Sequence, residues 1–514
     1  MAKKLYIFGI GGTGSRVLKA LTMLFAAGCK LKNGFDTVIP IIIDPDTSNG
    51  DLNRTKDILK LYQEIRNQVN QPDDFFSQEI KTVNELANKS SIVSSDYFQF
   101  SLNDVDQSTF GQYIGFNTLD EDYQNSKDDK NFTRLLYSEK NLRSNLNVGF
   151  KGNPNMGAIV LNQFTDSEDF KRFGQTFNDG DAVFIINSIF GGTGAAGFPL
   201  LLKNLRGNSD MPNSAKIKES QVGGITYLPY FALNKKDEVN SDSFEDKAKI
   251  AIDYYNRTII KQNKVNTLYF IGNRGNTKHF EYAVGGKEQK NNAHFLEMAG
   301  ALAVFDFCEN IDKTSNETQV KEFGIENDSE TILLGDLNLN NQQEIAKPLT
   351  KFSLYTNYLT KIVTEDGKIV AKRNEGLEKS LGVSRWTKSN IKLVQKNENS
   401  FLDKQYFNSS EYKLQIDAYN KHFIEWINEM EDNKPAFSPF HKINWGDALN
   451  LIKGAEVKGN KSFKSIDIEN CKLITKIGFK STPEKKHTTL IKVFGKSTEN
   501  VISKNNLLKQ EQNG

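Results

Sequence analysis

Cysteine is scarce in this chain: three in 514 residues, Cys29, Cys308 and Cys471, far apart and with no CxxC pair. That excludes a disulfide framework, offers no zinc-site spacing, and fits a reducing cytoplasm. Charge of one sign is equally lacking, since 66 basic residues face 64 acidic ones for a formal net charge of +2. So even a balance speaks against a broad nucleic-acid footprint and against an electrostatically held membrane surface. No stretch approaches the roughly 20 apolar residues of a membrane span, so no integral membrane segment is expected. The opening MAKKLYIFGIGG sets two lysines before an apolar run, but its glycines cut that run short of a signal-peptide core. Also missing is GxxxxGK[ST], which excludes a Walker-type phosphate loop.

What is present alternates. A chain of 514 residues should form two or three domains with ample buried area. KLYIFGIGGTGSRVLKALTMLFAAG predicts a strand, a glycine turn, and a helix with Val17, Leu18, Leu21, Leu24 and Phe25 at helical spacing. TVIPIIIDPDTSNGDLN is a continuous apolar strand ending on Asp44 and Asp46. Residues from about 55 to 147 turn polar and form a partly helical excursion, with DILKLYQEI as one helical pattern. VGFKGNPNMGAIVL then gives a loop and helix, and DAVFIINSIFGGTGAAGFPLLLKNLR a second strand, glycine loop and helix. GGITYLPYFAL and VNTLYFIGNRG add two strands. This order predicts an α/β fold with a parallel, helix-flanked sheet.

NNAHFLEMAGALAVFDFCEN, about 291 to 310, predicts a buried central helix with Ala299, Gly300, Ala301 and Ala303 in its middle. Beyond it TILLGDL and KFSLYTNYLTKIV read as strands, and QIDAYNKHFIEWINEM as an amphipathic helix. Residues from about 401 onward read as a separate α+β unit with a polar tail.

Gly11-Gly12-Thr13-Gly14 and Gly191-Gly192-Thr193-Gly194 repeat one tetrapeptide, each time after an apolar run and before a helix. A glycine loop there lets backbone N–H groups approach an anion at the positive end of the helix. Parallel topology puts both loops on the carboxyl edge of the sheet, where they can converge on one polyphosphate. The plain alternative for either loop alone is a tight strand-to-helix connection.

Six segments in order resemble the tubulin and FtsZ superfamily. GIGGTGS (9–15) is similar to its first phosphate loop, IIIDPDTSN (41–49) to the acid-containing loop after the second strand, and GFKGNPNMG (149–157) to the loop that closes on the γ-phosphate. FGGTGAAGFP (190–199) resembles the glycine-rich signature, ITYLPYFALN the ribose-side loop, and YFIGN (269–273) the guanine-contacting strand end. The resemblance covers roughly residues 4 to 310. It implies a Rossmann-like nucleotide-binding domain over 1–310, holding the insertion at 55–147 and the central helix at 291–310. A second, activation-type α+β domain would span 311–400 and a carboxyl-terminal extension 401–514.

The same resemblance implies GTP or GDP with Mg²⁺, ATP remaining open. Gly11, Gly12, Thr13 and Gly14 would hold the α- and β-phosphates, and Gly191, Gly192, Thr193 and Gly194 the β-phosphate from the other side. Gly152 and Asn153 would approach the γ-phosphate, while Asp44 and Asp46 would position Mg²⁺ through water or simply form a strand-end turn. Asn273 would read the base or be an ordinary loop residue, and His294 would lie against the base or in the core. Glu309 or Asp312, just beyond the central helix, would orient the attacking water in a neighbouring subunit or be solvated helix-end acids. The partner implied is another copy of the chain, head to tail, with the insertion or the carboxyl-terminal extension open to a further protein.

The signature departs from the family pattern at Phe190, Ala195 and Ala196, and Lys203 stands where many relatives offer a carboxylate to the ribose. Two other readings stay open. One is a Rossmann-type dinucleotide or adenylate enzyme, because Gly9, Gly11 and Gly14 satisfy GxGxxG and Asp44 follows at the end of the second strand, where a ribose-binding acid is expected, though 30 residues beyond Gly14 rather than about 20. The other is a scaffold that binds nucleotide without hydrolysing it. The wealth of Lys, Asn and Ile suggests a bacterial source.

Overall fold

The computed structural model describes residues 3–69, 74–87, 98–119, 124–163, 167–233, 244–273, 279–280, 286–313, 317–323, 331–332, 342–362, 404–433, 435–437 and 486–504, with 315 and 334. Its centre is one parallel sheet of seven strands, β1 (Lys3–Ile10), β2 (Phe35–Ile43), β3 (Glu79–Ile80), β4 (Ala182–Ser188), β5 (Gln221–Tyr227), β6 (Thr267–Ile271) and β7 (Gln319–Phe323). They lie in the order β3-β2-β1-β4-β5-β6-β7. β1 is paired on both sides, with Tyr6 opposite Ile39 and Ile7 opposite Phe184. The chain moves outward from β1 to β3, then returns to start again at β4. The crevice between β1 and β4 is therefore the topological switch point, where ligands of open α/β sheets bind.

Among the described helices are α1 (Gly11–Ala26), α2 (Gly50–Gln68), α3 (Pro154–Leu161), α4 (Gly192–Gly207), α5 (Phe244–Tyr255), α6 (Phe295–Asn310), α7 (Gln342–Ile362), α8 (Ala418–Glu431) and α9 (Lys486–Lys504). α1 follows β1 with no intervening residue, and all of it but Gly12 is buried. Such a helix gains its stability from burial on every side. The expected glycine turn is thus the first turn of the helix itself.

α6 is the central helix expected from the sequence, starting four residues later, at Phe295. Its small residues have a purpose: the Tyr227 hydroxyl donates to the Leu296 carbonyl at 2.9 Å, and a Cβ on Gly300 would fall 1.8 Å from that hydroxyl. Sixteen residues make the helix roughly 24 Å long. Its far end is tied to the opposite rim of the sheet, where the Asn33 amide, ahead of β2, donates to the Cys308 carbonyl at 2.8 Å.

Of the segment KFSLYTNYLTKIV, Lys351–Ile362 is helical, not a strand, and lies within α7; 363 lies outside the described residues. Aromatic and branched residues suggested extended chain, but buried Leu349, Phe352, Tyr355 and Leu359 recur at the spacing of a helix face. Of TILLGDL only Thr331–Ile332 forms a strand, paired with Ala436–Phe437; 333 and 335–337 lie outside the described residues. β3 and β7 were not legible in the sequence. The described carboxyl-terminal helices pack on the amino-terminal body: the Tyr419 hydroxyl donates to the Thr22 carbonyl at 3.0 Å, and the rings of Phe352 and Phe423 are 4.8 Å apart. Residues 363–403 and 438–485 of the two expected carboxyl-terminal units lie outside the described residues. No helix among the described residues is long and apolar enough to cross a membrane.

Candidate functional site

The two glycine tetrapeptides meet. Gly11 has φ +72°, which only glycine adopts without strain, and a Cβ there would lie 3.5 Å from Thr193 Cβ and 3.7 Å from the Gly194 nitrogen. At Gly14 the requirement is closeness: a Cβ would sit 2.5 Å from the Gly9 carbonyl carbon, so helix α1 can start flush against β1 only without a side chain. The third loop joins them from above. A Cβ on Gly192 would be 3.1 Å from the Asn153 nitrogen and 3.3 Å from the Gly152 nitrogen. Gly11–Gly14, Gly152–Asn153 and Gly191–Gly194 therefore form one cluster at the switch point.

The described helices begin in two ways, and α8 and the short helix Ser214–Glu219 share the uncapped start of α1 and α4 without meeting another such end at the switch point. α2 is capped by the Asn49 side chain, α3 by Asn153 and α6 by His294, each accepting backbone N–H groups of the first turn. α1 and α4 have no side-chain cap and no acidic residue in the first turn. The first four N–H groups of a helix have no intrahelical partner, and they carry the positive end of its dipole. Two such bare ends are set against each other here.

A charged layer lies behind α1. Arg16 is fully buried; its Nε donates to Glu297 at 2.6 Å, Nη2 to the Tyr230 hydroxyl at 2.9 Å, and Nη1 reaches Asp51 at 3.5 Å. Burial disfavours its charge, but Tyr230, Glu297 and Asp51 outweigh this and hold its pKa well above the ordinary value. Arg54 bridges Asp51 and Glu429, and Lys19 lies 3.4 Å from Glu429, so α8 is anchored to the same layer. Arg16 and Glu297 were not singled out in the sequence; Arg16 stands two residues after Gly14, and Glu297 stands at helix N3 after His294, the local signals available.

The remaining sequence-derived residues fall as follows. Asp44 is buried and accepts the Asp46 N–H at 3.0 Å; burial pushes its carboxyl up to about 7, opposed by that bond and aided by Asp46. Asp46 accepts the Gly286 N–H at 2.8 Å and the Ser48 hydroxyl at 2.9 Å, stapling segment 286–291 over the turn after β2. Asn153 donates its N–H to the Phe150 carbonyl at 2.8 Å while its side chain caps α3. His294 is buried against Tyr230 and Phe295; its Nδ1 accepts the Leu296 N–H at 3.1 Å, and burial with Arg16 nearby lowers its pKa to about 3. Asn273 follows β6 on the same carboxyl rim, two strands beyond β4, and its Nδ2 is buried with no hydrogen-bond partner among the described residues. Among the described residues no group of three or more His, Cys, Asp or Glu is placed to hold a metal ion.

Glu309 and Asp312 are not part of this cluster. Glu309 is paired with Lys32 at 2.8 Å, ahead of β2, and Asp312 is exposed on the turn beyond α6. Both sit at the amino rim, the length of α6 away. The departures within the signature have local causes. Phe190 is buried against Phe231, ring centroids 5.5 Å apart, and Ala196 packs where Gly157 lacks a side chain, a Cβ there falling 2.9 Å away. Lys203 is exposed on α4.

Two solved structures of tubulin/FtsZ-family proteins are similar to this chain. CetZ from Methanosaeta thermophila strain DSM 6194 is 13% identical, the match covering 60% of this chain and 53% of that one with a TM-score of 0.22. A TubZ-Bt chain from a helical model of a two-stranded filament is 12% identical, covering 60% of this chain and 54% of that one with a TM-score of 0.25. The chain thus spans about half the length of each. No protein-family model and no curated protein sequence matches it.

Proposed function

We propose that this chain is a divergent tubulin/FtsZ-like protein that binds a nucleoside triphosphate, GTP first, in the crevice between β1 and β4. It assembles head to tail, and a neighbouring subunit completes slow hydrolysis. One observation carries the binding reading: two helices with bare amino ends meet at the switch point through Gly11 and Thr193. Such ends attract phosphate, and two of them suit a chain of phosphates better than a single anion. The Asn273 amide, without a partner among the described residues, lies two strand spacings along the rim, roughly 10 Å, and fits an acceptor on a purine edge. A dinucleotide enzyme has no use for the second bare end, and the buried, internally bonded Asp44 is poorly suited to a ribose.

Mg²⁺, when bound with the nucleotide, would neutralise phosphate charge during transfer. Asp44 and Asp46 are the carboxylates at hand, and their carboxylate oxygens keep lone pairs for water ligands of a hard cation. The peptide N–H groups of Gly12–Gly14 and Gly192–Gly194 would hold the phosphates and stabilise charge on them. Glu309 and Asp312 act on a nucleotide only in trans, since α6 separates them from their own site. The exposed side chains of Ile250 and Tyr254 on α5 offer apolar surface to such a neighbour. The cytoplasm is the compartment that suits a GTP-dependent polymer.

The paired state of Glu309 also favours a second reading, a polymer or scaffold that binds nucleotide without turnover. One experiment separates them: pelleting, negative-stain microscopy and phosphate release across protein concentration, with GTP, ATP or neither. Filaments with turnover per subunit rising with concentration are expected, and Asp312→Ala should abolish the rise. Filaments with no phosphate release would leave the scaffold standing. Absence of binding to either nucleotide would sink both.

A further inference from the structure

The cluster contains a cation that the glycine loops do not account for. Lys247 lies in the first turn of α5, and its Nζ donates to the Gly152 carbonyl at 3.1 Å. Gly152 in turn leans on Gly192, so a single layer of backbone separates the ammonium from the bare end of α4. An ammonium has three donors, and Gly152 takes one. Among the described residues no carboxylate lies within ion-pair distance of it, whereas farther along Lys249 faces Asp246 at 3.6 Å and Arg257 faces Asp253 at 2.7 Å. Desolvation lowers the pKa of Lys247. A partly buried positive charge that faces no carboxylate among the described residues invites an anion.

The backbone that carries it is held. At the far end of α5 the Tyr255 hydroxyl accepts from the Asn187 amide at 3.2 Å and donates to the Ala195 carbonyl at 3.5 Å. α5 is thus fixed to the third loop at one end and to the start of α4 at the other, a brace across the mouth of the crevice.

We propose that Lys247 reads the terminal phosphate, distinguishing a nucleoside triphosphate from a diphosphate. The bare ends of α1 and α4 hold the inner phosphates, and Lys247 supplies the fixed positive charge at the loop beyond them. The proposal rests on the triphosphate reading of this site. It adds a residue from a helix that none of the glycine motifs contains.

The test is calorimetric titration of the full chain with GDP and with the non-hydrolysable β,γ-imido analogue of GTP, both with Mg²⁺, for the unaltered protein, Lys247→Gln and Lys247→Arg. Loss of one charge-assisted contact to the outer phosphate should weaken the analogue at least about tenfold in Lys247→Gln. GDP affinity should stay within about twofold, and Lys247→Arg should restore most of the loss. An equal loss for both ligands, meaning the lysine merely holds Gly152, or no loss for either, overturns the proposal while leaving the nucleotide site in place. No binding of either ligand by the unaltered protein overturns the nucleotide reading and this proposal together.

Discussion

The amino end of α6 and the amino ends of α1 and α4 solve the same electrostatic problem in opposite ways. At α6 the chain supplies its own anion: His294 caps the first turn, and Glu297 accepts the His294 N–H at 3.2 Å while pairing with Arg16. At α1 and α4 nothing of the kind is provided, although Asn and Ser or Thr caps start helices elsewhere in the fold. Two bare helix ends that meet at the switch point are what the proposed phosphate site needs. Arg16 lies between the filled end of α6 and the bare end of α1: Glu297 neutralises it from behind, and the first peptide groups of α1 stand on its other side.

The largest way to break this contrast is at the filled end. Glu297→Ala leaves the Arg16 guanidinium buried with Asp51, at 3.5 Å, as its one carboxylate partner among the described residues. Removing one partner of a buried pair costs about 3–5 kcal/mol, so urea denaturation should show a loss of that order. An unchanged midpoint would mean that water or another group already serves Arg16.

The next effect separates glycines that look alike in the sequence. Gly14→Ala and Gly194→Ala each drive a Cβ into backbone, 2.5 Å from the Gly9 carbonyl carbon and 2.7 Å from the Ser188 carbonyl oxygen. Overpacking of this kind costs about 1–3 kcal/mol and should open the contact between the loops. In Gly12→Ala the Cβ meets only the Arg16 side-chain end, at 3.4 Å, so its thermal midpoint should stay close to that of the unaltered protein. Equal effects at all three positions would show that the loops do not abut as described.

A smaller effect is expected where a cap is added to α4. Gly191→Asp gives α4 the cap it lacks, at a position whose Cβ meets only the Ser188 hydroxyl, at 3.2 Å. The new carboxylate should stabilise the ligand-free protein by a few tenths of a kcal/mol, about 1 at most. Nucleotide affinity should fall at the same time, because the carboxylate competes for the same N–H groups. A thermal shift upward without nucleotide, together with weaker titration by GTP, is the expected pair of results. Weaker stability with unchanged affinity would count against an anion site at α4.

Much of the sheet was legible because strands buried on both faces read as unbroken apolar runs, and five of the seven strands did so. β3 and β7 did not, since Glu79–Ile80 is two residues long and QVKEF alternates at an edge. α7 was misread because its aromatic face looks the same as a strand until the three-residue spacing is counted. In the site, the glycines were visible by their type, whereas Arg16, Glu297 and Lys247 had no pattern that marks them. Their partners lie far off in the chain: Glu297 is 281 positions from Arg16, and Gly152 is 95 from Lys247.

The sequence by itself determined which segments become buried strands, where the glycines permit helices to start flush against them, and that the start of α4 would carry no cap. Local residue type and period decide those things. Only the tertiary structure decided that the two bare ends touch, that Glu309 and Asp312 stand at the other rim, and that a lysine from α5 reaches the third loop. Those depend on the strand order β2-β1-β4 and on the length of α6, which no local pattern records. Long-range packing sets them, because the lowest free energy belongs to the whole buried core.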